Sequence, residues 1–119
     1  MVETQHFEDG VSVHTVTGEV TLLELAHAAL ASNLQYPSAR VLWDFRACEV
    51  DLPSHFLTKS CATWFRAQVD HIHAERRAFI AHDDQLPLVE TVLSRSRPPW
   101  PWAVFVNEGD ALGWLTRAA

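Results

Sequence analysis

Three short apolar runs punctuate the chain: Val41-Leu42-Trp43-Asp44-Phe45, Arg77-Ala78-Phe79-Ile80-Ala81 and Trp102-Ala103-Val104-Phe105-Val106. Each is too short for a helix and reads as a buried strand. A fourth stretch, Val11-Ser12-Val13-His14-Thr15-Val16-Thr17, is rich in β-branched residues, which also favour strands. Glu8-Asp9-Gly10 precedes it and reads as a tight hairpin turn from a strand near Thr4–Phe7. Between the strands the apolar positions change to helical spacing. Gly18 ends the second strand, and Thr21-Leu22-Leu23-Glu24 has the form of a capping box, with Val20 and Leu25 placed as a hydrophobic staple. Leu22, Leu25, Ala26, Ala29 and Leu30 form the apolar stripe of a helix to about Asn33, and Pro37 keeps it from continuing. Asp51-Leu52-Pro53-Ser54 starts a longer helix, with Leu57, Cys61, Trp64, Phe65, Gln68 and Val69 carrying it to about His71. His82-Asp83-Asp84 closes the next strand, and Leu88, Val89, Val92 and Leu93 mark a third helix. Asn107 caps a final one, whose buried side is Ala111, Leu112, Trp114 and Leu115.

The order is ββαβαβαβα. It predicts an α/β fold: a single-layer mixed, mainly parallel five-stranded sheet with about four helices, the opening hairpin adding an antiparallel edge strand. No repeat, low-complexity tract or flexible linker divides the 119 residues, so a single domain over 1–119 is expected.

Composition narrows the function classes. Nine Lys+Arg against fifteen Asp+Glu give a net charge of −6, which argues against a nucleic-acid or anionic-membrane surface. The eight arginines against one lysine, with abundant alanine, suggest a bacterial source rich in GC. The N-terminus is polar and acidic without an apolar core, and no apolar run approaches the roughly 20 residues of a membrane span. A cytoplasmic protein is therefore expected. Cys48 and Cys61 are too few for a disulfide scaffold and lack zinc spacing; both read as reduced thiols. Seven histidines make the net charge strongly dependent on pH, whether or not they sense it.

Candidate chemistry collects where the parallel strands end, the usual ligand position on an open α/β sheet. Asp44 and Arg46 follow the third strand, His82, Asp83 and Asp84 the fourth, and Asn107 and Glu108 the fifth. Asp and His together suit acid–base work or a metal. The competing reading is an Asp44–Arg46 ion pair, with Asp83 and Asp84 as helix caps. No nucleophile with a paired base and no glycine-rich phosphate loop is spelled out, with only four glycines in the chain. No catalytic residue, metal site or cofactor is therefore assigned. His71-x-His73 would share a face on a strand but diverges on a helix, and it lacks a third ligand. Trp43, Trp64 and Trp114 sit on core faces. Trp100 and Trp102 alternate around prolines, so one of them is expected at the surface as an interface residue, with Phe56 able to extend the patch.

Gly18-Glu19-Val20-Thr21, Val41-Leu42-Trp43-Asp44-Phe45-Arg46 and Val104-Phe105-Val106-Asn107-Glu108 with Ala111-Leu112-Gly113-Trp114-Leu115 resemble, in order and spacing, the SpoIIAA-like branch of the STAS superfamily. The resemblance runs from about residue 4 to 116 and implies a five-stranded, four-helix α/β domain. Relatives include anti-sigma-factor antagonists switched by serine phosphorylation and regulatory appendages of transporters or sensors. The acceptor serine of the former opens the helix after the third strand, which places Ser54 here as the phosphorylation candidate; Pro53, His55 and Phe56 around it depart from the family's Asp-Ser-small pattern. A capping hydroxyl is the alternative role for Ser54. The expectation is a non-enzymatic regulatory or interaction domain that binds a protein partner or itself, as a homodimer. Two alternatives stand beside it: a binder of a small apolar or lipid-like molecule, in a pocket formed by Asp44, Arg46, His82 and Asp83, and a phosphorylation-switched antagonist.

Overall fold

The computed structural model describes residues 1–20, 22–36, 40–48, 76–96 and 100–117. Five strands form one sheet in sequential order: β1 (Val2–His6), β2 (Val11–Gly18), β3 (Arg40–Cys48), β4 (Arg77–Ile80) and β5 (Trp102–Phe105). β1 runs antiparallel to β2, and the other neighbours are parallel. Three helices are described: α1 (Leu22–Gln35), α2 (Leu86–Ser96) and α3 (Glu108–Thr116). The helix expected from Asp51 to about His71 lies outside the described residues, as do Ser54, Phe56, Trp64, His71 and His73.

The hairpin between β1 and β2 is one residue longer than a two-residue turn. The Gly10 N–H donates to the Phe7 carbonyl at 3.1 Å, the Phe7 N–H donates to Val11 at 2.9 Å, and Asp9 accepts the Val11 N–H at 3.2 Å. Gly10 sits at φ +85°, the left-handed position that a three-residue loop of this kind places on its last residue.

Register assigns every sheet residue to a face. Thr4, His14, Trp43, Phe79 and Val104 stand opposite one another across the five strands, and His6, Ser12, Val41, Arg77 and Trp102 form the next row on the same face. Val16, Val41, Trp43 and Phe79 of this face pack with Ala29 and, half-buried, Leu25 of α1, and with Leu93 and Val89 of α2. Strand order advances in one direction, so right-handed crossovers put both helices on the same side. α3 makes no crossover and covers the other face, where Ala111 and Leu115 pack against Val11, Leu42, Ala78 and Ile80. Asn107 caps α3 as expected: its side-chain oxygen accepts the Asp110 N–H at 2.8 Å. The Thr21 half of the proposed capping box lies outside the described residues; Glu24 is 3.7 Å from the N-terminal ammonium. Val20 and Leu25, the expected staple, both pack against the α1–α2 core.

Candidate functional site

At the carboxyl ends of β3, β4 and β5 the structure brings Asp44, Arg46 and Glu108 together, with His82 close enough to act on Asp44. Pairing of β2 with β3 slips between Thr15 and Thr17, so Phe45 and Arg46 both oppose Val16. This bulge removes Arg46 from the regular ladder, and Asp44 takes over its N–H at 3.0 Å. The Arg46 guanidinium then folds back on the same carboxylate, Nε to Oδ1 at 3.0 Å and one terminal nitrogen to Oδ2 at 2.8 Å. Glu108, the first residue of α3, lies 3.9 Å from that nitrogen. The Arg46 hydrogen bond holds the Asp44 carboxyl below its ordinary pKa against the opposing effect of burial, and His82 adds to the lowering. The partnership raises Arg46 in turn. A carboxylate held ionised by a bidentate guanidinium is a weak proton acceptor. The geometry is thus that of the ion pair, with both Asp44 oxygens already engaged.

His82, Asp83 and Asp84 are exposed on the turn between β4 and α2. Gln85, rather than either aspartate, organises the start of α2. It is only 8% exposed. Its carbonyl oxygen accepts the His82 N–H at 2.9 Å, and its amide donates to the carbonyls of Phe45 at 3.2 Å and Cys48 at 3.0 Å. One side chain therefore ties the first turn of α2 to the end of β3. Sequence reading passed over it, because an amide beside two aspartates looks like one more solvated turn residue. The rim is completed by Asn107, Asp110 and Val106, the last 48% exposed. With Arg46 engaged by Asp44, the remaining side chains of the rim are mostly acidic: Asp83, Asp84, Glu108 and Asp110.

The tryptophan expectation needs correction. Trp100 is 5% exposed and belongs to the α1–α2 core, where the Arg77 guanidinium lies 4.7 Å from its ring centre. It offers no surface to a partner. Trp102 is half-buried against the same core. The reason is register: Trp102 stands opposite Arg77 and shares its face, and the chain before Pro101 folds Trp100 down beside both. Among the described residues no three His, Cys, Asp or Glu side chains are grouped to hold a metal ion. No described helix is long and apolar enough to cross a membrane.

No family model matches the chain, and no curated protein matches it in sequence. Among solved structures, it is similar to the crystal structure of an anti-sigma factor antagonist from Mycobacterium paratuberculosis. The two are 21% identical, and the match covers 98% of this chain and 94% of the other with a TM-score of 0.64. The five strands, the antiparallel edge and three of the four helices expected of the resemblance are present in the described residues, and the helix from Asp51 to about His71 lies outside them. The chain has the fold of that anti-sigma factor antagonist, the fold that the resemblance implied.

Proposed function

We propose that this chain is a non-enzymatic regulatory domain that acts by binding a protein partner, through the rim at the carboxyl ends of β3, β4 and β5. The observation that carries the reading is the match over nearly the whole chain to a protein described as an anti-sigma factor antagonist. The rim supports it physically. Asp44–Arg46, Gln85 with its two carbonyls, and Asn107–Asp110 are internal contacts that fix the surface before any partner arrives. A preformed surface loses little entropy on docking. Exposed Asp83, Asp84, Glu108 and Asp110 around Val106 suit a partner that is basic with an apolar centre. A small-ligand pocket at this end is the weaker reading, because the Asp44 carboxylate is already spent on Arg46. Ser54 remains the proposed acceptor if the partner is a kinase of the anti-sigma type.

The test is binding of the purified chain to the anti-sigma factors of its own genome, by calorimetry, with sedimentation velocity for self-association. The reading expects one partner, or a second copy, to bind at micromolar Kd or tighter. An Asp83→Lys/Asp84→Lys double variant should weaken that about tenfold or more, chiefly through the on-rate at low salt. A monomer that binds none of them overturns it.

A further inference from the structure

The opposite end of the sheet holds a feature the partner reading does not use. Arg77 opens β4 and is 2% exposed. No carboxylate among the described residues pairs with it, and its Nε makes no hydrogen bond. Its neighbours in kind are treated differently. Arg76 donates to the carbonyls of Trp114 at 2.9 Å and Arg117 at 3.0 Å, and Arg46 has Asp44. Burial alone pushes the Arg77 pKa down to about 10, which still leaves the side chain charged at neutral pH.

Beyond its immediate neighbours Val41, Trp102 and Trp100, the same face carries donor chemistry. The row that contains Arg77 on this face is His6, Ser12, Val41, Arg77 and Trp102, and the row next to it is Thr4, His14, Trp43, Phe79 and Val104. They hold two imidazoles and two hydroxyls and no acid. Ser12 and His14 are each 1% exposed. The His6 Nδ1 lies 2.6 Å from the Ser12 hydroxyl, and the His14 Nδ1 lies 2.7 Å from the Thr4 hydroxyl. Either tautomer of each pair leaves an N–H or an O–H able to turn toward a third group. The acids of the covering helices do not turn inward: Glu24 and Glu90 are exposed. Tyr36, its ring centre 3.8 Å from that of His6 at a tilt of 32° and itself exposed, stands at the solvent edge of the row.

We propose that this end of the α1–α2 face, at the amino ends of β2 and β4, is a binding site for a small oxyanion, a carboxylate or a phosphate, held by the Arg77 guanidinium with Ser12 and His14 as further donors. The guanidinium fork matches two oxygens of either group, and the Trp100 ring against which it lies holds it in place. A buried cation with no counterion destabilises the fold, so an anion there stabilises it. The site is independent of the partner rim, and failure of one reading leaves the other standing.

The test is thermal unfolding at pH 7.5 and fixed ionic strength, with sodium phosphate or sodium acetate replacing sodium chloride. Wild type, Arg77→Met and Arg77→Lys are compared. A site predicts a saturable rise in wild-type Tm, about 10 °C at a hundred times Kd, in at least one of the two salts. Arg77→Met should abolish the saturable rise, and its own Tm in chloride should equal or exceed that of wild type, because the uncompensated charge is gone. Arg77→Lys should retain a weaker response. A response to acetate alone identifies a carboxylate ligand, and a response to phosphate alone a phosphate ester. Equal, non-saturating shifts in wild type and Arg77→Met are general salt effects and overturn the proposal. Should Arg77→Met fail to fold, calorimetric titration of wild type decides: 1:1 heat with either anion supports the site, and no heat with both overturns it.

Discussion

Removing the Gln85 amide should loosen the junction between β3 and α2 more than any neighbouring polar substitution. The side chain makes three hydrogen bonds: the His82 N–H in, and the Phe45 and Cys48 carbonyls out. Gln85→Ala deletes all three at once. His82 is exposed, so water replaces its partner there, whereas the Cys48 carbonyl bond is buried. Taking about 1 kcal/mol for each bond, with the buried carbonyl at the upper end, the loss is about 2–3 kcal/mol. In urea denaturation that lowers the midpoint by about 1–2 M at unchanged slope.

Gln85→Glu separates this bridge from simple loss of packing. The introduced carboxyl still accepts from His82, but when ionised it faces two carbonyl oxygens and donates to neither. Its folded pKa must therefore rise above the roughly 4.3 of a free glutamate. The penalty relative to wild type is small below pH about 4.3 and grows as pH rises through the raised folded value. Urea midpoints of both variants and wild type, at matched pH from 4.5 to 8, check this. A Gln85→Ala unfolding free energy within about 0.5 kcal/mol of wild type, or a Gln85→Glu penalty flat with pH, would falsify the bridge as an organising contact.

Two further outcomes follow from the core. Burial, with smaller contributions from Arg77 and His6, pushes the His14 pKa down to about 4, below the roughly 6.5 of the unfolded chain. Proton uptake thus favours unfolding: stability is complete above pH about 6.5 and falls by about 3 kcal/mol as pH drops toward 4, while His14→Phe should flatten that limb of the urea midpoint–pH curve. Leu115 is fully buried against β3 and β4, so Leu115→Ala should cost about 2–5 kcal/mol, measured by the same unfolding series, and a loss under about 1 kcal/mol would contradict the α3 packing.

The strands were legible because each apolar run is short and bounded by polar residues, and the described order repeats the expected one wherever both can be compared. Boundaries moved for local reasons. β3 runs on to Cys48, since the bulge at Phe45–Arg46 lets Asp44 supply the hydrogen bond that the ladder drops. α2 begins at Leu86 because Pro87 is tolerated in a first turn. The rim could be anticipated from topology alone: parallel strands gather whatever follows them at one end. Gln85, Arg77 and His14 could not. Each matters through a neighbour distant in sequence, Gln85 through Phe45 and Cys48, Arg77 through Trp100, His14 through Trp43. Two tryptophans around Pro101 likewise look equivalent until the register sets Trp102 opposite Arg77 and buries Trp100 beside it.

The two ends of the sheet differ in how their polar groups are satisfied, and that difference bears on what each can do. At the carboxyl ends Asp44 and Arg46 are matched to each other, the unmatched acids are exposed to water, and the helix starts are tied down by Gln85 and Asn107. Such an end is stiff, which suits recognition by shape and surface charge and leaves little reactive capacity. At the amino ends a cation is buried against an aromatic ring, on a face with hydroxyls and imidazoles and, among the described residues, no acid. Low dielectric magnifies that imbalance, so the region gains most from a group brought from outside. The fold alone fixes neither role. Local accounting of charges and hydrogen bonds is what separates the two proposals, a macromolecular partner at the carboxyl rim and a small anion at the Arg77 end.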